Sequence, residues 1–596
     1  MNVLGISAHF HDATAALMVD DAIVASVAEE RISRQKHDAS LPLNAASACL
    51  AFGGLSAQDL DAVVFYEAPH EKFTRVLAST MAGFPRTLGR FVSGMKGWLG
   101  EKLFVRNALS KALDVHPNRV AFSSHHASHA THAFVMSGFD EAAVLVVDAV
   151  GEWTTTSIGR ARRGEPVELL ETHEYPDSLG LFYAAFTGFL GFAPNSEECS
   201  TMALASFGQP TRVAEVRQVL RLAEDGTFSL ARDAFDLLAD GKATYTPSFV
   251  RRFGEPANAA TVERYGTLDA LAPAVTVISP ELTPWVDLAA SVQSVLEEAL
   301  LGLCRRAARL VPTRRLCLAG GVALNCVAVS RLAREGPFET MFVPPDPGDG
   351  GAAVGAALAH ALREGRTVTI PKSPFLGLTP RYEDVHAMLE HLDPAHLSRV
   401  NNAGSVTCHR FTDDDRGLGF AADRLAMGKI VAWVDSRAET GPRALGHRSL
   451  LAHPGRLDTV RRLGRAVKRR AAFRPYALSL NATRATGVLH EGRAAGTLPW
   501  MQRTAPVHDG LRPQLRGGVH VDGTTRPQIV SREAQPRFAA LLDAFEATTG
   551  VPALLNTSLN ERGQPLVDSA VDALTMFART DLDVLMLDTL ALERTR

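Results

Sequence analysis

Two distant stretches of the chain repeat one pattern, an apolar strand, a polar turn carrying an acidic residue and a second strand, and few folds accommodate both copies. In the first copy Val3 to Ser7 and Ala15 to Val19 flank the turn His9-Phe10-His11-Asp12, and Ile23 to Ala28 follows the Asp20-Asp21 turn. In the second, Ala142 to Val147 runs into Asp148-Ala149-Val150-Gly151-Glu152 and then Trp153 to Ile158. The repetition predicts an internally duplicated nucleotide-binding fold. Apolar positions at helical spacing between Leu288 and Leu310 and a buried strand over Leu316 to Val322 make the core α/β. A turn at Pro344 to Gly351 then leads into an alanine-rich helix over Ala352 to Leu362.

A chain of 596 residues exceeds what one hydrophobic core usually supports, so two domains are expected. The Pro, Gly, Ser and Thr content of Arg363 to Pro380 marks the boundary. The expected division is 1–365 for the first domain, 366–399 for a linker and 400–596 for the second domain, starting near Val400. Strands are expected there at Ile430 to Val434 and Ala553 to Leu555, with an arginine-dense stretch from Arg437 to Arg474 between them.

A net charge of −3 gives no overall attraction for a polyanion, so no nucleic-acid partner is expected. Six cysteines (Cys49, Cys199, Cys304, Cys317, Cys326 and Cys408) without close paired spacing argue against a zinc knuckle or a disulfide framework. The start Met1 to Ile6 runs into a strand without the regions of a signal peptide, and no apolar run reaches membrane-spanning length. A cytoplasmic protein with no membrane partner is expected; a homodimer is compatible with the sequence.

The densest chemical signal is Ser124-His125-His126-Ala127-Ser128-His129-Ala130-Thr131-His132. On a helix His125 and His129, four apart, share a face and present two imidazoles to one metal, although a packed histidine cluster has the same spacing. Asp148 and Asp349 each sit in a glycine-bearing turn after a strand. Two imidazoles with two carboxylates suit a borderline divalent metal, iron(II) as well as zinc; Asp148 alone would also serve as a turn cap. The glycine turns Gly320-Gly321 and Gly348 to Gly351 allow a nucleotide to approach the backbone, or are tight structural turns.

In the second domain Arg437 to Ser449 and Val467 to Pro475 place cations among glycines and prolines, a composition suited to phosphate. Arg443, Lys468 and Arg474 are the candidates, whereas Arg461, Arg462, Arg465 and Arg469 read as a solvated helix face. Polar groups at Val519 to Pro527 and Leu555 to Asn560 bind a nucleotide or cap turns.

Taken together and in order, these elements resemble the NodU/CmcH family of O-carbamoyltransferases. The resemblance rests on Phe10-His11-Asp12-Ala13, Glu29-Glu30-Arg31, Arg34 to Asp38, His125 to Ala130, Asp148 to Glu152, the Gly320-Gly321 and Asp349 turns, Gly441 to Gly446, and Asn556-Thr557-Ser558. It implies a TsaD-like N-terminal domain of the actin/Hsp70/sugar-kinase type and a YrdC-like α/β C-terminal domain. It further implies that carbamoyl phosphate and ATP, the latter with Mg(2+), give carbamoyladenylate, whose carbamoyl group passes to a hydroxyl of a small molecule.

Matched by position, the family's iron ligands fall on His125, His129, Asp148 and Asp349, its carbamoyl-end residues on His11 and Lys36, and its nucleotide and carbamoyl phosphate residues on Arg443, Lys468, Arg474, Arg526, Asn556 and Ser558. His11 then serves as general base or as hydrogen-bond donor. The chain departs from the family where Ser200 replaces a lysine, Ala203 a glycine and Ala471 a glutamate. The alternatives are threonylcarbamoyl transfer to tRNA and a nucleotide-binding protein of the same fold with impaired turnover.

Overall fold

The computed structural model describes residues 1–85, 87–100, 102–237, 244–271, 278–369, 373–391, 405–490 and 498–595. Val400, the expected start of the second domain, lies outside the described residues. The chain forms two compact units. One comprises Met1–Glu29, Asp38–Thr267 and Val277–Lys372; the other comprises Glu30–His37, Leu268–Thr276 and Ser373–Arg596. Two short N-terminal segments thus belong to the C-terminal unit, and the helix Tyr382–His391, within the expected linker, buries Val385 in that unit's core.

The first unit contains two sheets of five strands. Its strands are β1 (Val3–Ser7), β2 (Thr14–Val19), β3 (Ala22–Ala28), β4 (Ala62–Phe65), β5 (Val120–Phe122), β6 (Glu141–Val147), β7 (Thr154–Arg162), β8 (Glu168–Glu174), β9 (Leu220–Leu222), β10 (Phe228–Leu230), β11 (Arg315–Ala319) and β12 (Thr340–Phe342). The first sheet is ordered β3-β2-β1-β4-β5 and the second β8-β7-β6-β11-β12, while β9 and β10 form a separate ribbon. In each sheet the first three strands are antiparallel neighbours and the last two are parallel to the first. The two sheets are therefore copies of one arrangement, the duplicated sheet of the actin/Hsp70/sugar-kinase type.

Local chemistry explains the pattern, since tight turns join antiparallel strands whereas parallel neighbours need a crossover. Asp20 and Asp21 both take positive φ (48° and 65°), as a two-residue hairpin turn between β2 and β3 requires. The crossovers are helical: the helix Leu43–Phe52 lies between β3 and β4, and Cys326–Glu335 between β11 and β12. The helix His125–Ser137 joins β5 of the first sheet to β6 of the second, and the helix Asp349–Arg363 follows β12.

These two helices pack against each other at a glycine. A Cβ at Gly355 would lie 1.8 Å from the Ser128 carbonyl oxygen, and one at Gly5 in β1 would lie 2.0 Å from that of Ala353. Only hydrogen at those positions lets the helix sit between β1 and its partner helix. The same helix begins at Asp349, so Gly350 and Gly351 lie inside it and not in a preceding turn.

The second unit is built on one mixed sheet. Its strands are β13 (Ser405–Arg410), β14 (Val431–Val434), β15 (Arg448–Ala452), β16 (Ala477–Asn481), β17 (Ala505–Pro506), β18 (Thr524–Thr525), β19 (Pro527–Val530), β20 (Leu554–Ser558), β21 (Val584–Leu587) and β22 (Leu590–Thr595). Eight of them run in the order β13-β22-β21-β14-β15-β20-β16-β19, and β17 pairs with β18. Alternation along β14 sends Val431 and Trp433 into one core, and Ala432 and Val434 into another. The helices Asp414–Ala426 and Pro536–Thr549 cover the first face and Ala570–Arg579 the second, giving an α/β/α unit. No helix among the described residues is long and apolar enough to cross a membrane.

Candidate active site

His125 and His129 lie on the first two turns of the helix His125–Ser137, buried and on one face as their spacing requires. Asp148 follows β6, where its Oδ1 accepts hydrogen bonds from the Ala149 and Gly321 amides at 2.8 and 3.3 Å. Asp349 opens the glycine-seated helix, and its Oδ2 accepts from the Tyr66 hydroxyl at 3.4 Å. Each acid thus keeps its other oxygen for the imidazoles.

The four side chains converge, with one ligand atom from each within 4.8 Å of the others. His125 Nε2 lies 3.0 Å from Asp148 Oδ2 and 3.1 Å from His129 Nε2. His129 Nε2 lies 3.2 Å from Asp148 Oδ2 and 3.3 Å from Asp349 Oδ1. Separations near 3 Å are those of neighbouring ligands around a cation bound at about 2.0–2.2 Å. Two imidazole nitrogens with their lone pairs turned to one point need a proton or a metal between them.

Electrostatics agree. Burial alone would lower the His129 pKa, but hydrogen bonds to Asp148 and Asp349 and their charges hold it up at about 10. His125 is raised by Asp148 and Asp349 against the same burial cost. Burial would raise Asp148, yet both imidazoles keep it well below the usual carboxylate range. Two buried anions therefore retain positive charge beside them, so a divalent metal would take the place of protons. The residues fit a divalent metal of borderline hardness.

Several groups around the cluster are absent from the sequence-derived set. Glu152 accepts hydrogen bonds from the amides of His125 (3.0 Å) and Ala68 (2.7 Å), fixing the start of the histidine helix. Glu67, bonded to Lys72 at 2.7 Å, lies 4.0 Å from His125 Nδ1. The Nδ1 atoms of His125 and His129 are buried without a hydrogen-bond partner among the described residues. Glu152 closes the acidic turn that was noticed in the sequence, but nothing in that turn shows which amides it reaches.

His11 sits in the β1–β2 loop, and its Nδ1 is 2.7 Å from Asp12 Oδ2. Burial opposes protonation, but the Asp12 hydrogen bond and charge, with Asp349 and Asp148 behind it, raise its pKa to about 9. At neutral pH the ring carries a proton, which favours donation over the role of general base. Lys36 belongs to the other unit, held at 2.8 and 3.0 Å by Glu30. Ser200 and Ala203, the departures from the family pattern, are buried on the helix Glu198–Ala205, where a lysine at position 200 would lack solvent.

In the second unit Lys468 is buried, and its Nζ meets the Ser558 and Asn560 carbonyl oxygens (2.7 and 2.8 Å), Ser558 Oγ (3.1 Å) and Asn560 Oδ1 (2.5 Å). Burial, then Arg470 and Arg474, push its pKa well below the usual lysine value. Asn556, on β20 with Ser558, donates from Nδ2 to Ser479 Oγ (2.9 Å), Gln528 Oε1 (3.0 Å) and the Ala444 carbonyl (3.3 Å). Its Oδ1 is buried with no partner among the described residues.

Two of the remaining candidates are close in sequence to partners of Asn556. Arg443 adjoins Ala444, and Arg526 lies two residues before Gln528, with its Nε buried and unpaired among the described residues. Arg474 lines a cleft with Arg470, Ala471 and Tyr476. Sequence reasoning missed Ser479, Gln528 and Gln535, which form a buried amide chain with Leu445, and Glu439, whose Oε1 accepts from the Leu445, His447 and Arg448 amides. Scattered glutamines carry no spacing signal.

A duplicated kinase-type fold holding a buried His2Asp2 cluster, joined in one chain to an α/β unit with a lysine-centred polar site, defines a two-unit group-transfer enzyme. Residues 2–358 match the family model for the carbamoyltransferase N-terminus, and residues 422–594 match that for the carbamoyltransferase C-terminus. The chain belongs to the carbamoyltransferase family and is a transferase. Uncharacterized protein sll1178 of Synechocystis is 37% identical over 100% of this chain and 97% of its own length. Nodulation protein NolNO of Sinorhizobium fredii is 32% identical over 97% of this chain and 78% of that protein. Nodulation protein U of the same organism is 32% identical over 48% of this chain and 47% of that protein.

Proposed function

We propose that the protein is an ATP-dependent O-carbamoyltransferase that makes carbamoyladenylate in its second unit and transfers the carbamoyl group to a small-molecule hydroxyl at the His11 and His125 site of its first. The observation that carries the reading is the convergence of His125, His129, Asp148 and Asp349 inside the part matching the carbamoyltransferase N-terminus. In the first step carbamoyl phosphate, ATP and water give carbamoyladenylate, pyrophosphate and phosphate. Arg443, Arg474 and Arg526 hold phosphate oxygens, and the unpaired Asn556 Oδ1 accepts from the carbamoyl NH2 group. Lys468 and Ser558 shape the loop around them.

In the second step the hydroxyl oxygen bonds to the carbamoyl carbon and the bond from that carbon to the AMP phosphate oxygen breaks. AMP leaves with the electron pair, and the hydroxyl proton goes to solvent or to the departing phosphate. His11, kept protonated by Asp12, donates a hydrogen bond to the carbamoyl oxygen as charge builds there. His125, His129, Asp148 and Asp349 would hold a divalent cation, which we take to be iron(II), and such a cation would supply charge neutralisation for the adenylate phosphate.

Purified protein incubated with ATP, Mg(2+) and carbamoyl phosphate should release pyrophosphate and form carbamoyladenylate detectable by mass spectrometry. ATP turnover that does not depend on carbamoyl phosphate, with no carbamoyladenylate, would contradict the reading.

A further inference from the structure

Glu30–His37 comes from the start of the chain yet belongs to the second unit. Its own side chains close it into a compact turn, in which Glu30 accepts from Lys36 Nζ at 2.8 and 3.0 Å and from the His37 amide at 2.9 Å. Two arginines of this segment each grip a pair of backbone carbonyls in a different loop of the unit. Arg34 donates from Nη1 to the Leu566 carbonyl (2.8 Å) and from Nη2 to that of Pro565 (3.1 Å). Arg31 donates from Nη1 to the Glu439 carbonyl and from Nη2 to that of Gly441 (2.9 Å). Arg31 is buried, so these bonds replace the water that its guanidinium gave up.

The loop held by Arg31 is the one that carries Arg443. The two gripped carbonyls straddle Thr440, whose amide and hydroxyl both donate to the Pro374 carbonyl (2.8 and 3.0 Å). Gly441 follows with a φ of 83°, a backbone that favours glycine, and turns the chain into Pro442 and Arg443. Beyond Arg443 the loop is closed from inside, because Glu439 Oε1 accepts from the amides of Leu445, His447 and Arg448. Arg443 therefore hangs between backbone fixed by Arg31 and a turn fixed by Glu439. The loop held by Arg34 adjoins Lys468. There the Val567 amide donates to the Leu559 carbonyl (3.0 Å) and Asn560 Nδ2 to that of Gln564 (2.7 Å), so a grip on Pro565 and Leu566 steadies the Ser558 and Asn560 oxygens around the lysine.

We propose that Arg31 is a positioning residue for the first half-reaction: it sets the backbone from which Arg443 reaches phosphate, while Arg34 ties the same segment to the loop around Lys468. This rests on the reading that the second unit makes carbamoyladenylate. It puts part of that site's support outside residues 422–594, the stretch that matches the carbamoyltransferase C-terminus. A guanidinium suits the task because its planar fork spans both carbonyls at once, whereas a lysine ammonium is a single point.

The test is a double-mutant cycle in the full chain between Arg31→Ala and Arg443→Ala. It is read by carbamoyladenylate formation and, in calorimetry, by binding of ATP and of phosphonoacetamide, an unreactive analogue of carbamoyl phosphate. Arg443→Ala should weaken at least one of these ligands about 10-fold or more, as expected for losing a charge-assisted hydrogen bond, and Arg31→Ala should weaken the same ligand by a similar factor. The double variant should bind about as weakly as Arg443→Ala alone, because an effect exerted through Arg443 vanishes with it. Arg31→Lys should fall between wild type and Arg31→Ala, and it takes the alanine variant's place in the cycle should that variant misfold. Losses that multiply in the double variant, as a general effect on folding would give, would overturn the proposal. So would wild-type affinity in Arg31→Ala, or an Arg443→Ala chain that binds both ligands as wild type does. A wild-type chain that makes no carbamoyladenylate while the binding cycle stays non-additive would refute the reaction proposed above and leave the positioning of Arg443 supported.

Discussion

The His2Asp2 cluster of the first unit and the Lys468 site of the second are both buried and charged, yet they are built in opposite ways. In the first, four side chains point inward at one spot that protons alone satisfy poorly: His129 is raised to about 10 and Asp148 is pulled down. In the second, the central cation is already saturated by Ser558 and Asn560, and the unmet atoms are at its margin, Asn556 Oδ1 and Arg526 Nε. A site whose four ligand atoms converge on one point is preorganised for a cation. A site built around its own lysine is closed by internal hydrogen bonds. The two should therefore fail independently when mutated.

The largest effect is expected at the cluster. His129→Ala leaves Asp148 and Asp349 with one imidazole, and metal affinity, read by competition with a chelator, should fall by more than the roughly 10–100-fold typical of losing a mere supporting contact. Retention of wild-type affinity would remove His129 from the ligand set. Next is Gly355→Ala, whose methyl group meets the Ser128 carbonyl and must push apart the helices that carry His129 and Asp349. It should cost about 1–3 kcal/mol in thermal or denaturant unfolding and weaken metal binding as well. An unchanged melting temperature would mean that the close approach is not needed.

Lys468→Met should lower stability by about 1–3 kcal/mol through the carbonyl and amide oxygens it leaves unpaired, while metal content stays at the wild-type level. Coupled loss of metal would break the contrast between the sites. A smaller and sharper effect concerns His11. Its folded pKa of about 9 exceeds the ordinary 6.5, so its protonation contributes stability that is fully present below about pH 6.5 and is lost as pH rises through about 9. Proton NMR of the ring should show a midpoint near 9 in wild type and a clearly lower one in Asp12→Asn; equal midpoints would remove Asp12 as the cause.

The same contrast governs what the sequence reveals. His125 and His129 are readable because helical periodicity turns a spacing of four into a shared face, and Asp148 because it ends a strand in a recognisable turn. The duplicated sheets follow from two similar strand patterns, and the helix starting at Asp349 was misplaced by only a few residues because its glycines look like a turn. Their purpose is packing: Gly355 and Gly5 admit neighbours that no local pattern names. In the second unit Asn556, Gln528, Ser479 and Gln535 meet across the sheet, so their pairing depends on strand order and not on spacing. That Glu30–His37, with Lys36, groups with the C-terminal unit is likewise a tertiary fact that no local pattern names.

The central claim is that one chain carries two separable half-reactions, and the most direct measurement is carbamoyladenylate formation from ATP and carbamoyl phosphate by the His129→Ala variant. The account predicts that this variant still makes carbamoyladenylate and releases pyrophosphate while carbamoylating no hydroxyl. Loss of carbamoyladenylate in a folded His129→Ala chain would contradict it.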